Sequence, residues 1–146
     1  MKRFALDKKR VLILCTGNSA RSQMGEGLFK HMDGDQFEVF SAGTTPSTLN
    51  PYAVLAMADI GIDIREQYSK SLNEFLSQEF DYVITVCDRA AETCPIFAGP
   101  AQRIHWSFPD PAAVEGDHNQ KLAAFIQVRD AIQQQFQQWL TELGAI

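Results

Sequence analysis

The sequence predicts an α/β fold, a four-stranded parallel sheet with helices on both faces. Three observations carry this prediction. Short apolar, β-branched runs alternate along the chain with segments at helical spacing. The resulting order, β-α-β-α-(α)-β-β-α, is that of a parallel sheet with crossover connections. Two cysteines, Cys15 and Cys87, fall at the carboxyl ends of predicted strands, where such sheets build their sites.

Arg10–Leu14 reads as the first strand because it is short, apolar and rich in branched residues. Arg21–Met32 reads as a helix with Met24, Leu28 and Phe29 on one face, stopped by Asp33-Gly34. Phe37–Ala42 alternates up to Gly43 and reads as a second strand. Asn50 is placed to cap a second helix over Pro51–Ile60, with proline at its first position and Gly61 at its end. Ser71 opens a short helix to Leu76, and Glu74 three residues on predicts a capping box. Asp81–Cys87 is the third strand, 88–101 a loop holding Cys94-Pro95 and Gly99-Pro100, and Gln102–Trp106 a fourth short strand. The stretch SFPDPAAVEGD is turn-rich. From 118 to 143 Leu122, Phe125, Ile126, Ile132, Phe136, Trp139, Leu140 and Leu143 recur at helical spacing. The run QQQFQQW within this helix reads as a solvated glutamine face with Phe136 and Trp139 packed inward.

A chain of 146 residues that is 45% hydrophobic is expected to bury one core. Residues 1–9 are expected to be a loose extension and 10–146 the domain. Thirteen basic and 18 acidic residues give a formal charge of −5, which argues against nucleic acid as a partner. No apolar run reaches the length of a membrane span, and Val11–Leu14 is too short for a signal core, so a soluble cytoplasmic protein is expected. No sustained exposed apolar pattern suggests a second copy, which favours a monomer. Three cysteines, Cys15, Cys87 and Cys94, do not make a secreted disulfide framework; they suggest thiol chemistry or small buried residues. Cys-x6-Cys is not the usual zinc spacing, and His31, His105 and His118 show no ligand pairing, so no metal is expected.

The segment Cys15-Thr16-Gly17-Asn18-Ser19-Ala20-Arg21-Ser22 connects strand to helix. Gly17 and Asn18 tolerate the positive φ of a tight turn. Successive backbone N–H groups would then share one concavity, with a helix N-terminus behind it, which is an anion site. Arg21 adds a planar fork of donors for a tetrahedral oxyanion. The same field favours the thiolate of Cys15, the form that attacks, and Ser22 is placed to donate to it. The bland alternative is a core cysteine ending a strand, with Arg21 on the surface.

CTGNSARS resembles the signature loop of the low-molecular-weight phosphotyrosine phosphatase fold. SQMGEG, FSAGT, TVCDRAAETCP and WSFPDPA are similar to the arsenate reductases built on that fold. The resemblance runs from Arg10 to the last helix and implies a three-layer α/β/α domain. It implies that Cys15 attacks arsenate, that Arg21 and the loop amides hold the oxyanion, and that Asp110 protonates the departing oxygen. By the same resemblance, Cys87 attacks Cys15 and expels arsenite, and Cys94 moves the disulfide to Cys87–Cys94 by thiolate exchange. A helical 87–94 segment would hold the two Cα atoms about 10.5 Å apart, and a disulfide needs less than about 7 Å. The segment is therefore expected to bend or unwind on oxidation.

Some members of the reductase family hold potassium beneath the loop with an asparagine, a glutamate, a serine and an aspartate. Asn18, Glu26 and Ser41 match the first three, but Lys70 stands at the aspartate position. The expectation is that the Lys70 ammonium pairs with Glu26 and no potassium is needed; the alternative points Lys70 to solvent. Many relatives carry cysteine where this chain has Ala20. Phosphatases of the fold commonly place a tyrosine after Asp-Pro, where this chain has Ala112. The resemblance implies thioredoxin as electron donor, with glutaredoxin and glutathione as the alternative. Phosphate and sulfate are expected to compete with arsenate. A phosphatase acting on phosphotyrosine or another small ester, and a non-catalytic oxyanion or redox sensor, remain alternative readings.

Overall fold

The computed structural model describes residues 8–88 and 96–145. Four parallel strands form one sheet: β1 (Lys9–Cys15), β2 (Phe37–Gly43), β3 (Tyr82–Thr85) and β4 (Gln102–His105), in the order β2-β1-β3-β4. Among the described residues three α-helices accompany them, α1 (Arg21–Asp33), α2 (Pro51–Ala58) and α3 (His118–Glu142), with 3-10 turns at Leu72–Phe75 and Pro111–Ala113. The predicted elements are all present, with shifted ends.

β1 lies at the centre of the sheet, and its buried part, Val11–Cys15, is an unbroken apolar run because both of its faces are covered. Side-chain alternation sends Val11, Ile13 and Cys15 into one core and Leu12 and Leu14 into another. The first core holds the apolar faces of α1, α2 and α3. There Met24, Leu28 and Phe29 of α1 meet Phe125, Ile132, Phe136 and Leu140 of α3. Phe29 stacks edge-on against Phe37 and Phe136 at centroid distances of 5.0 and 5.1 Å. Phe136 and Trp139 are buried inward from the glutamine run, as its spacing predicts.

The other face of the sheet is closed by Leu72, Phe75 and Phe80, from the first 3-10 turn and the loop after it, and by Phe97 of the loop leading into β4. Among the described residues no α-helix packs there; the short helix expected over 71–76 winds as a single 3-10 turn, Leu72–Phe75. Ser71 Oγ accepts from Asn73 N at 3.1 Å, one residue short of the predicted capping-box partner Glu74.

β1 begins at Lys9, inside the expected N-terminal extension, because Lys9 pairs in register with Phe37. The second helix ends at Ala58, two residues early, as the chain turns through Gly61 at φ 80°. β3 spans only Tyr82–Thr85. Val86 N still donates to Leu14 O at 2.9 Å, but beyond Cys15 β1 has turned away and the ladder has no partner. Cys87 thus sits just past the strand, fully buried in the same core as Cys15. α3 starts on a capping box the sequence reading passed over: Asp117 Oδ1 accepts from Gln120 N, and Gln120 Oε1 accepts from Asp117 N, both at 2.9 Å.

Candidate active site

The loop between β1 and α1 is shaped by what its carbonyls are given. Thr16 O accepts from Thr45 N at 2.9 Å, Gly17 O from Ser47 N at 3.2 Å, and Ser19 O from Asn50 N at 3.0 Å. Asn18 O accepts from Gln23 Nε2 at 3.0 Å. Every carbonyl from 16 to 19 is therefore bound to surrounding protein. Peptide planarity makes the N–H that follows each carbonyl point the opposite way, which builds the concavity. α1 begins at Arg21 with no side-chain cap, so its N-terminal dipole faces the same space. Only one loop residue takes positive φ, Asn18 at 46°; Gly17 does not, contrary to the sequence expectation for it. Gly43 allows the loop to fit against β2. A Cβ there would lie 2.5 Å from Thr16 O and 2.9 Å from Asn18 N, both rigid backbone atoms.

A cavity of about 400 Å³ opens over the loop, lined by Cys15, Thr16, Gly17, Ser19, Ala20, Arg21, Ser47, Asp110 and Ala112. Cys15 lies at its base, 2% exposed and free of any disulfide. Arg21 is not on the surface: it is buried, and one guanidinium nitrogen donates to Phe108 O at 3.2 Å. Its other terminal nitrogen lies 4.0 Å from Asp110 Oδ2. Asp110 uses its two oxygens for two jobs. Oδ1 caps the Pro111–Ala113 turn by accepting from Ala112 N at 3.0 Å, which leaves Oδ2 on the cavity side near Arg21.

The predicted loop set divides into two layers. Asn18 and Ser22 do not line this cavity; both are fully buried beneath the loop. Asn18 Oδ1 accepts from Lys70 N at 2.8 Å and Gln23 Nε2 at 3.0 Å. A backbone N–H is only a donor, so this bond fixes which way the Asn18 amide faces. Its Nδ2 then donates to Ser22 Oγ at 2.8 Å and Ser41 Oγ at 3.0 Å. Each serine, having accepted, must send its own proton elsewhere. Ser41 gives its proton to Glu26 Oε1 at 2.5 Å. Ser22 Oγ lies 2.8 Å from Cys15 Sγ, so its proton goes to the sulfur. The network is satisfied when sulfur accepts, which is the thiolate's role.

Glu26 closes the buried layer. Lys30 Nζ donates to its Oε2 at 2.6 Å, and Lys70 Nζ stands 3.7 Å from Oε1. Lys70 is buried and does not point to solvent; its ammonium also donates to Tyr68 O at 2.7 Å. Burial pushes the Lys70 ammonium below its ordinary pKa, with the Glu26 carboxylate opposing that shift.

Sequence reasoning missed Gln23, Lys30, Ser47, Ser69 and the Phe108 carbonyl. Gln23 is fully buried and ties Asn18, five positions away, to Tyr68 and Gln67, 45 and 44 positions away, a role that helical spacing does not mark. Cys87 is disulfide-bonded, and Cys94 lies outside the described residues, as does most of the segment expected to bend. His105 bridges Thr85 Oγ1 at 2.6 Å and Ser107 Oγ at 2.7 Å, a packing role at the end of the β3–β4 pair. Among the described residues no helix is long and apolar enough to cross a membrane.

A parallel sheet with a thiol, an arginine and a carboxylate converging above an amide nest defines a class of cysteine-based oxyanion sites. Residues 10–145 match the model of the low molecular weight phosphotyrosine protein phosphatase family, and the chain belongs to that family. Within it the chain is similar to arsenate reductases. It is 48% identical over 127 residues to the arsenate reductase of Halalkalibacterium halodurans, covering 87% of this chain and 91% of that one. A solved arsenate reductase in an oxidized state superposes with a TM-score of 0.77 at 28% identity, over 92% of this chain and 98% of the other. One in a phosphate-binding state superposes at 0.71 with 29% identity and the same coverage.

Proposed function

We propose that this chain reduces arsenate to arsenite. Arsenate enters the cavity over the loop, where the amides and Arg21 hold its oxygens. The Cys15 thiolate, facing the Ser22 donor, attacks arsenic, and Asp110 protonates the oxygen that leaves as water. The thiolate of Cys87 then attacks the Cys15 sulfur. A sulfur–sulfur bond forms, the sulfur–arsenic bond breaks, and its electron pair stays on arsenic, which leaves as arsenite. Cys94 next attacks Cys87, freeing Cys15 and leaving a Cys87–Cys94 disulfide. A dithiol protein of the thioredoxin type in the cytoplasm returns that disulfide to two thiols. The observation that carries this reading is that Cys15 is free at the base of the cavity while Cys87, in the same buried core, is disulfide-bonded. That is the pattern expected at the end of one turnover.

The test supplies arsenate, thioredoxin, thioredoxin reductase and NADPH and follows NADPH loss. A reductase consumes NADPH in step with arsenate. A phosphatase would instead hydrolyse p-nitrophenyl phosphate with no NADPH demand, and a sensor would do neither.

We further propose that no potassium ion is needed beneath the loop. Lys70 Nζ, 3.7 Å from Glu26 and joined there by Lys30, supplies the positive charge that the carboxylate calls for. Replacing sodium with potassium at constant ionic strength is expected to leave turnover and melting temperature unchanged. A rise in either with potassium would contradict the assignment of that charge to Lys70.

A further inference from the structure

Ser47 is the cavity residue with no assigned task. It comes from the segment after β2, which is stitched to the loop through Thr45 N, Ser47 N and Asn50 N. Its backbone is held twice, since Ser47 N also donates to Ser69 Oγ at 3.0 Å, and Ser69 Oγ in turn donates to Gly17 O at 3.0 Å. Ser47 Oγ stands over the loop, 3.7 Å from where a Cβ on Gly17 would lie. Among the described residues that hydroxyl makes no hydrogen bond. A rigid backbone thus presents an unengaged hydroxyl to the site.

The chemistry of the bound anion gives it work. At neutral pH arsenate and phosphate each carry at least one protonated oxygen. The loop amides and the Arg21 guanidinium only donate, so they suit the bare oxygens and not the hydroxyl. A hydroxyl side chain both donates and accepts. We propose that Ser47 is a substrate-contacting residue, whose Oγ hydrogen-bonds the outward, protonated oxygen of the oxyanion alongside Asp110. The proposal rests on reading the cavity as an oxyanion site, but not on the disulfide relay.

The experiment measures binding of inorganic phosphate by titration calorimetry to the wild-type chain, Ser47→Ala and Ser47→Thr. Phosphate is not reduced, so the readout is independent of the redox steps. Ser47→Ala is expected to bind about three- to tenfold more weakly, the worth of one neutral hydrogen bond, with Ser47→Thr restoring the affinity. In turnover, Ser47→Ala should raise KM for arsenate by the same factor and leave kcat within about twofold. Equal affinity of wild type and Ser47→Ala overturns the proposal while the oxyanion site stands. Equal weakening by alanine and threonine overturns it as well, because that is the mark of a structural role. Failure of the wild-type chain to bind phosphate or arsenate at all overturns the reading of the cavity itself.

Discussion

Changing Cys15 to Ser is expected to abolish arsenate reduction and any hydrolysis of p-nitrophenyl phosphate together, whereas Cys87→Ser abolishes only the reduction. The asymmetry follows from the division of labour. Cys15 makes the covalent adduct that both reactions require, and a serine hydroxyl in its place is not ionised at neutral pH. Cys87 supplies the electrons, which hydrolysis does not need. Cys87 is fully buried and belongs to the core that also holds Cys15, so serine there is expected to keep the fold while ending the relay. Coupled NADPH consumption and release of p-nitrophenol, measured on the same preparations, separate the two activities. Reduction that survives in Cys87→Ser would place the electron source elsewhere.

The second large effect is expected from Asn18→Asp. The change is nearly isosteric, and both residues tolerate the left-handed φ of 46° found there. Its consequence is electronic. Asn18 Nδ2 donates to Ser22 and Ser41, which forces the Ser22 proton onto Cys15 Sγ. A carboxylate has no proton to give. Ser22 would then donate to the new carboxylate, withdrawing from the sulfur, and a second negative charge would sit one hydroxyl away from the thiolate. Loss of one pre-aimed donor of this kind costs about 100- to 1000-fold in kcat. Alkylation of Cys15 by iodoacetamide at fixed neutral pH, on protein whose Cys87 is held in its disulfide, reports the thiolate directly. It should slow markedly. Wild-type alkylation in Asn18→Asp would show that the proton direction through Ser22 does not matter.

The parts of the site that were legible in the sequence are those that are local. β1, the loop and the start of α1 are consecutive, so a strand ending in Cys15 and a helix opening at Arg21 fix the cradle without help from afar. Even there one detail was out of reach: glycine and asparagine both accept positive φ, and the structure uses only Asn18. The buried layer was not legible from spacing. Ser41 and Lys70 reach Asn18 across 23 and 52 positions, and family resemblance was needed to bring them to the loop. Gln23 falls inside the SQMGEG stretch that carries the resemblance, but nothing in its spacing marked its part in the buried layer. Asp110 sits in the turn-rich SFPDPAAVEGD stretch and also serves the site, one oxygen capping the turn and the other facing Arg21. The winding of Leu72–Phe75 was out of reach for a similar reason, since a capped four-residue stretch is equally compatible with an α- or a 3-10 turn.

The relay is tested most directly by trapping its middle. The reduced Cys94→Ser protein is mixed with one equivalent of arsenate, quenched with an alkylating agent, digested without reductant and mapped by mass spectrometry. The account predicts a Cys15–Cys87 disulfide in amounts matching the arsenite released. Recovery of both cysteines alkylated, with arsenate consumed or not, would contradict it.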